Sequence, residues 1–274
     1  MIYLGLHNSW QSGAALIVDK KIIGAVSEER FNRIKNYHGM PINSIKYLLG
    51  LKNLKLKDID KIIYGMVTSI EPEEESLKKI LSTVINGTIK NPNIKMKYYE
   101  RVVSEMLWNK RHLSELYQWL DKNKLREKLY FVDHHLSHSA GVYYSSPFDD
   151  CLVFTCDGKG NYKSSSLSFG KRNKLNLINY HSTFDSLGYF YGTITKALGF
   201  QAERHEGKVT GLAAFGSNSK FQKITDSIIK FENGSLKTNL GNYYLPWLCD
   251  EKDLPLLYKE VRKYKKEDVA FAAQ

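Results

Sequence analysis

Asp133-His134-His135-Leu136-Ser137-His138, followed by Cys151-Leu152-Val153-Phe154-Thr155-Cys156-Asp157-Gly158-Lys159-Gly160, is the stretch around which the chain is organised. His134 and His138 are four residues apart, so on a helix they share one face. Asp133 is a suitable N-cap for a helix from His134 to Tyr144. Leu152 to Cys156 reads as a buried strand, and Asp157 stands where that strand gives way to a predicted glycine turn at Asp157–Gly160. Two imidazoles, a strand-end carboxylate and a Gly-rich turn are the parts of a metal-assisted phosphate site. An HxxxH pair alone is more often a pair of packing or hydrogen-bonding histidines. With Asp157 the set suits Fe(II), Mn(II) or Zn(II), with positions left open for ligand oxygens. His135 points elsewhere on the helix and reads as core or as support for the ligands.

Outward from this stretch, the pattern on the N-terminal side is α/β. Ile2–Leu6, Gly13–Val18 and Ile22–Val26 read as a three-strand meander turning at Asp19-Lys20-Lys21. The polar loop His7–Ser12 is either an ordinary hairpin loop or one that presents hydroxyls and N–H groups to an anion. Ser27 to Asn36 is a charged segment. Pro41 opens a helix with apolar Ile42, Ile45, Leu48 and Leu49, stopped at Gly50. Ile59–Val67 and Tyr130–Val132 are further strands. Between them the pattern is helical: Leu77, Ile80, Leu81 and Val84 first, then Val103 to Leu120 after a break at Asn91-Pro92-Asn93.

On the C-terminal side a second meander is expected at Leu152–Cys156, Ser164–Phe169 and Leu175–Tyr180. A helix over Ser186–Leu198 has Gly199 after its end. The motif His205 to Gly216 follows, then an amphipathic segment from Phe221 to Phe231, and the last residues read as helical. Two meanders of one type imply two related lobes: 1–148, with a helical insertion at about 73–129, and 149–274. The second lobe reads as partial, without its remaining strands.

A 274-residue chain with 42% apolar residues can bury a substantial core. The N-terminus has no signal-peptide pattern, and no apolar run approaches the roughly 20 residues of a membrane span. Three cysteines without ligand-type spacing fit a reducing cytoplasm, with Cys151 and Cys156 read as small core residues. The formal charge of +11 comes from lysines spread along the chain, so neither nucleic acid nor a membrane is expected as a partner.

The sequence resembles the N-terminal portion of the O-carbamoyltransferases of nodulation-factor and antibiotic biosynthesis. The resemblance is carried by Gly13-Ala14-Ala15-Leu16, Glu28-Glu29-Arg30-Phe31-Asn32-Arg33-Ile34-Lys35, the Asp133–His138 motif, Ser146-Pro147-Phe148, Asp157-Gly158-Lys159-Gly160 and His205-Glu206-Gly207-Lys208-Val209-Thr210-Gly211-Leu212-Ala213, in that order. It implies an actin-like ATPase fold of two ribonuclease H-like lobes. It also implies that carbamoyl-adenylate, made from carbamoyl phosphate and ATP in a separate C-terminal domain, donates its carbamoyl group to a hydroxyl of a sugar or natural product. The implied metal, Fe(II) foremost with Zn(II) or Mn(II) as alternatives, maps onto His134, His138 and Asp157. Ser12, Gly13, Gly158, Lys159 and Gly160 then become candidates for contacting phosphate. Lys35 and Lys208 are candidate electrostatic partners or plain surface lysines, and His205 is a candidate for proton transfer. Members carry a His-Asp pair before the Ala-Ala-Leu strand; here Trp10 and Gln11 stand there, with His7 three residues earlier. Two other readings fit: a tRNA threonylcarbamoyl-transfer-type protein, and a non-catalytic nucleotide-binding fragment.

Overall fold

The computed structural model describes residues 1–65, 92–161, 163–239, 241 and 243–274. The periodic run at 77–84 and the end of the predicted fourth strand lie outside them. Contacts divide the described chain into two units, one of residues 1–65 and 96–137, the other of residues 92–95 and 138–274.

The first unit is built on β1 (Ile2–His7), β2 (Gly13–Val18) and β3 (Lys21–Ser27), a meander within one residue of the boundaries the apolar runs predict. Asp19 and Lys20 have φ of 47° and 66° between the paired Val18 and Lys21, which makes a two-residue type I′ turn. The short helix α1 (Glu29–Asn32) and then α2 (Ile42–Gly50) follow. β4 (Lys61–Tyr64) returns parallel to β1, and β5 (Leu129–Phe131) is parallel to β4. The sheet order is therefore β3-β2-β1-β4-β5. Before β5 runs the long helix α3 (Pro92–Lys122), which begins at the proline that the sequence reading takes as a break. Proline is tolerated in a first helical turn because its missing N–H has no intrahelical partner there.

The core of this unit follows from two periodicities. Leu4 and Leu6, Ala14 and Leu16, and Ile62 and Tyr64 alternate onto one sheet face. Ile45, Leu48 and Leu49 of α2, with Leu116 and Leu120 of α3, cover that face. Full burial of a leucine of this kind contributes ~1.5–3 kcal/mol. Glu28, which sequence alone places in a charged segment, is buried. Its Oε1 accepts from the N–H and Nδ2 of Asn43 (3.1 and 2.7 Å), and its Oε2 accepts from the N–H and Oγ of Ser44 (2.8 and 2.7 Å). The side chain thus satisfies the orphan donors at the start of α2 from outside the helix, with its negative charge at the positive end of the helix dipole.

The second unit takes up the chain within helix α4 (His134–Ser145) and continues into β6 (Cys151–Gly160), β7 (Lys163–Lys171) and β8 (Lys174–Ser182), an antiparallel sheet in that order. Arg172 and Asn173, with φ of 47° and 60°, form a second type I′ turn between the paired Lys171 and Lys174. β6 departs from expectation. It does not turn at Asp157 but runs on to Gly160, with a register shift between Cys156 and Gly160 that makes Asp157–Lys159 an irregular, bulged segment.

After β8, α5 (Leu187–Ala197) starts on Ser186, whose Oγ accepts from the Tyr189 N–H at 3.0 Å. It closes with Gly199 at φ +85°. α6 (Glu206–Ala213) and α7 (Gln222–Ile228) follow. The Phe221–Phe231 segment is then not one helix: β9 (Ile229–Glu232) and β10 (Ser235–Thr238) form a hairpin about Asn233-Gly234, with φ of 52° and 76°. Asn-Gly is the strongest short hairpin signal, and here it overrides the helical periodicity before it. α8 (Pro255–Val261) and α9 (Lys266–Ala272) complete the described elements. Cys156 is exposed rather than a core residue, because it alternates onto the uncovered face of β6. Among the described residues no helix is long and apolar enough to cross a membrane.

Candidate metal centre

Helix α4 places both histidines. Asp133 caps it as expected, its Oδ1 accepting from the Leu136 N–H at 2.9 Å. His134 lies in the first turn and His138 one turn further on the same face, so their relation is set by the helix itself. His135 is buried beside His134, ring to ring at 5.6 Å.

Asp157 reaches the same place from the bulge of β6. Its Oδ1 accepts from the Gly158 N–H at 2.6 Å, which turns Oδ2 toward His138 Nε2, 3.5 Å away. The bulge is held by the start of α5, where Ser186 Oγ donates to the Gly158 carbonyl at 2.7 Å. Gly188 allows that approach: a Cβ there would lie 3.0 Å from the Asp157 carbonyl and from the Gly158 N and Cα. Gly188 therefore matters sterically to Asp157, a role that nothing in the sequence pattern signals.

One ligand atom from each of His134, His138 and Asp157 lies within 4.8 Å of the others. Two ligands at ~2.0–2.2 Å from one tetrahedral ion stand about 3.4 Å apart, close to the observed His138–Asp157 separation. The donor set is that of a first-row divalent cation, so these residues fit a metal. Asp157 also bears on the protonation of His138. The hydrogen bond to Asp157 raises the His138 pKa above the ordinary imidazole value of 6.5, with burial opposing. Binding a cation must displace that proton. Cation affinity is accordingly expected to fall as pH is lowered, starting above pH 6.5, by roughly tenfold per pH unit for each imidazole proton displaced. Calorimetric titrations between pH 8 and 5.5 measure this, and a pH-independent affinity would exclude imidazole ligands.

The other candidates are distributed differently. In the first unit, Ser12 donates its N–H to Tyr37 O (3.0 Å) and its hydroxyl to Gly39 O (2.7 Å), so both of its donors hold the 37–39 loop rather than facing a phosphate. Gly13 serves close packing, since a Cβ would meet Val26 O at 2.9 Å. Lys35 is exposed in a turn. The loop His7–Ser12 is pinned: His7 Nε2 lies 3.0 Å from Trp10 O, Asn8 Nδ2 donates to His112 O at 2.8 Å, and Tyr64 OH donates to Asn8 Oδ1 at 2.6 Å. The buried Asn8 and the His38 and His112 rings beside this loop are additions that sequence reasoning does not find, because α3 brings His112 in from more than a hundred residues away.

In the second unit, the Gly158 N–H is taken by Asp157, and Gly160 is buried and paired with Lys163. Lys159 sits between them in the bulge. Lys208 is exposed on α6. His205, which precedes α6, accepts from the Gln201 N–H on Nδ1 at 3.2 Å, so in the neutral ring the proton is on Nε2.

Residues 3–270 match the family model described as Carbamoyltransferase N-terminus. The chain belongs to the carbamoyltransferase N-terminal family. An uncharacterized protein of Synechocystis (sll1178) is 30% identical over 236 residues, covering 85% of this chain and 37% of that relative. An uncharacterized protein of Methanocaldococcus jannaschii (MJ1051) is 30% identical over 238 residues, covering 87% of this chain and 38% of the relative. The nodulation protein NolNO of Sinorhizobium fredii is 29% identical over 240 residues, covering 86% and 33%. The chain thus spans between a third and two fifths of the length of these curated relatives.

Proposed function

We propose that this chain is the N-terminal catalytic region of a carbamoyltransferase that moves a carbamoyl group from carbamoyl-adenylate to a hydroxyl of a sugar or natural-product acceptor. Carbamoyl-adenylate is made from carbamoyl phosphate and ATP in a separate domain. The observation that carries the reading is the convergence of His134, His138 and Asp157 in a chain of this family. The order β3-β2-β1-β4-β5 and the second meander β6-β7-β8 support an actin-like fold with ribonuclease H-like lobes, the first over 1–148 and the second beginning at 149.

In the transfer, the acceptor oxygen bonds to the carbamoyl carbon, the bond from that carbon to the adenylate oxygen breaks, and AMP leaves while the hydroxyl proton passes to a base or to solvent. A divalent metal, Fe(II) foremost or else Zn(II) or Mn(II), supplies Lewis-acid polarisation of the carbonyl or phosphate oxygens when bound. His134 and His138 would hold it as neutral imidazoles, and Asp157 would do so with an orientation fixed by the Gly158 N–H. Lys208 and Lys35 offer positive charge to phosphate oxygens. His205, whose Nδ1 accepts from the Gln201 N–H, is a candidate for acceptor binding or proton transfer. Of the proposed phosphate contacts, Lys159 is the cationic one, whereas Ser12, Gly13, Gly158 and Gly160 shape the backbone.

The test is metal-dependent transfer of label from carbamoyl phosphate, with ATP, to a panel of hydroxylated sugars. It is run with the chain alone and with the chain joined to the C-terminal sequence of a longer relative. The expected product is a carbamoylated sugar, formed by the joined protein and lost with Asp157→Ala. Modification of tRNA in place of every sugar would turn the assignment to the threonylcarbamoyl-transfer type.

A further inference from the structure

Asp157 stands in a stretch of β6 that leaves the regular ladder. The pairing with β7 passes from Cys156–Ser165 to Gly160–Lys163, so Asp157, Gly158 and Lys159 bulge out of it. Glycine is the residue with the greatest backbone freedom, and Gly158 lies in the middle of that bulge. Its N–H nevertheless donates to Asp157 Oδ1 at 2.6 Å and so turns Oδ2 toward His138. The direction of that N–H is set from the other end of the residue, where Ser186 Oγ donates to the Gly158 carbonyl at 2.7 Å. The Tyr189 ring closes over Gly158, 3.6 Å from where a Cβ would stand.

Ser186 is itself firmly anchored. It is fully buried, its Oγ accepts from the Tyr189 N–H at 3.0 Å as the cap of α5, and its carbonyl accepts from Tyr244 OH at 3.1 Å. On the preceding residue, Asp185 Oδ1 accepts from the N–H and Oγ1 of Thr238, both at 2.9 Å, and Oδ2 accepts from Ser182 Oγ at 2.9 Å. Ser164 Oγ donates to the Ser182 carbonyl at 2.8 Å. Segment 182–186 is thus tied to β7, to β10 and to Tyr244, and the Ser186 hydroxyl carries that anchorage to the bulge. Only a group that is donor and acceptor at once can cap α5 and hold Gly158 together.

We propose that Ser186 is a positioning residue for the metal centre: by holding the Gly158 carbonyl it aims the Gly158 N–H at Asp157 and keeps Oδ2 placed to bind a cation. The inference rests on the reading of His134, His138 and Asp157 as that centre.

The test uses Ser186→Gly in the 274-residue chain, because glycine caps a helix nearly as well as serine but lacks the hydroxyl. Tyr258→Phe is the control: it removes a buried hydrogen bond of the same unit, from Tyr258 OH to the Cys249 carbonyl (3.1 Å), without touching the bulge. Two quantities are measured. In the metal-free protein, the Gly158 amide-proton resonance lies downfield while it donates to a carboxylate, and in Ser186→Gly it should move toward its position in Asp157→Ala. With Co(II), Ser186→Gly should bind roughly tenfold more weakly and with an altered ligand-field spectrum. Tyr258→Phe should match the unaltered chain in both. Circular dichroism verifies the fold, and Ser186→Ala takes the place of a glycine variant that does not fold. An unmoved Gly158 resonance, an unchanged Co(II) affinity in Ser186→Gly, or equal losses in Tyr258→Phe would each overturn the proposal. Failure of the unaltered chain to bind Co(II) would overturn the metal reading instead, and the Gly158 resonance would still decide whether Ser186 sets the orientation of Asp157.

Discussion

Asp157→Ala is expected to lower divalent-cation affinity at least about a hundredfold while leaving the unfolding transition nearly in place. The carboxylate supplies the one anionic donor of the trio, and without it the two imidazoles of α4 form an i,i+4 pair with no charge to offset a dication. Its side chain is 40% exposed, and its structural hydrogen bond is a local one to the next residue. Little of the fold therefore depends on it. His134→Ala and His138→Ala should behave alike, whereas Lys35→Ala, far in sequence and exposed, should keep full affinity. Equilibrium dialysis with Mn(II) or Zn(II), read by elemental analysis, decides the matter. Retained stoichiometry in Asp157→Ala would remove the metal assignment. Gly188→Val approaches the same site from behind: it presses on the Asp157 carbonyl without altering a ligand, so reduced affinity at unchanged ligand identity is expected.

The second large effect falls on stability. Glu28→Ala is expected to destabilise the protein by about 3–5 kcal/mol, because the loss leaves buried N–H and hydroxyl donors at the start of α2 unsatisfied. Ser44 is itself fully buried, so water cannot readily replace the carboxylate there. Glu28→Gln keeps one acceptor oxygen but turns an NH2 toward donors, and should fall between. Denaturant titration of the three proteins measures this, and a loss below about 1 kcal/mol for Glu28→Ala would show that α2 docks without its cap. By contrast, exposed pairs such as Arg262–Glu251 contribute little to stability in water.

Much of this was legible without coordinates. The alternation in β1 to β3 fixes their faces, and the apolar spacing of Ile45, Leu48 and Leu49 fixes the buried stripe of α2. HxxxH after an aspartate gives both the cap and the shared face of His134 and His138. The Asn233-Gly234 hairpin was also written in the sequence, and the helical periodicity before it concealed the signal. Glu28 was not legible, since a glutamate in a charged run is buried only if a helix N-terminus is brought to it. Nor was the bulge at Asp157, where glycines suggest a turn and only the pairing of β6 with β7 shows the strand continuing.

The sequence by itself determined the periodic elements and the identity of the three donors, because local propensity and side-chain period depend on neighbours in the chain. The tertiary structure alone decided that Asp157 meets His138, since that contact depends on a register shift and on Gly188 letting α5 press against the bulge. It alone also decided that Leu152 and Phe154 face solvent, because an apolar strand has the same sequence pattern whether or not another strand lies beside it.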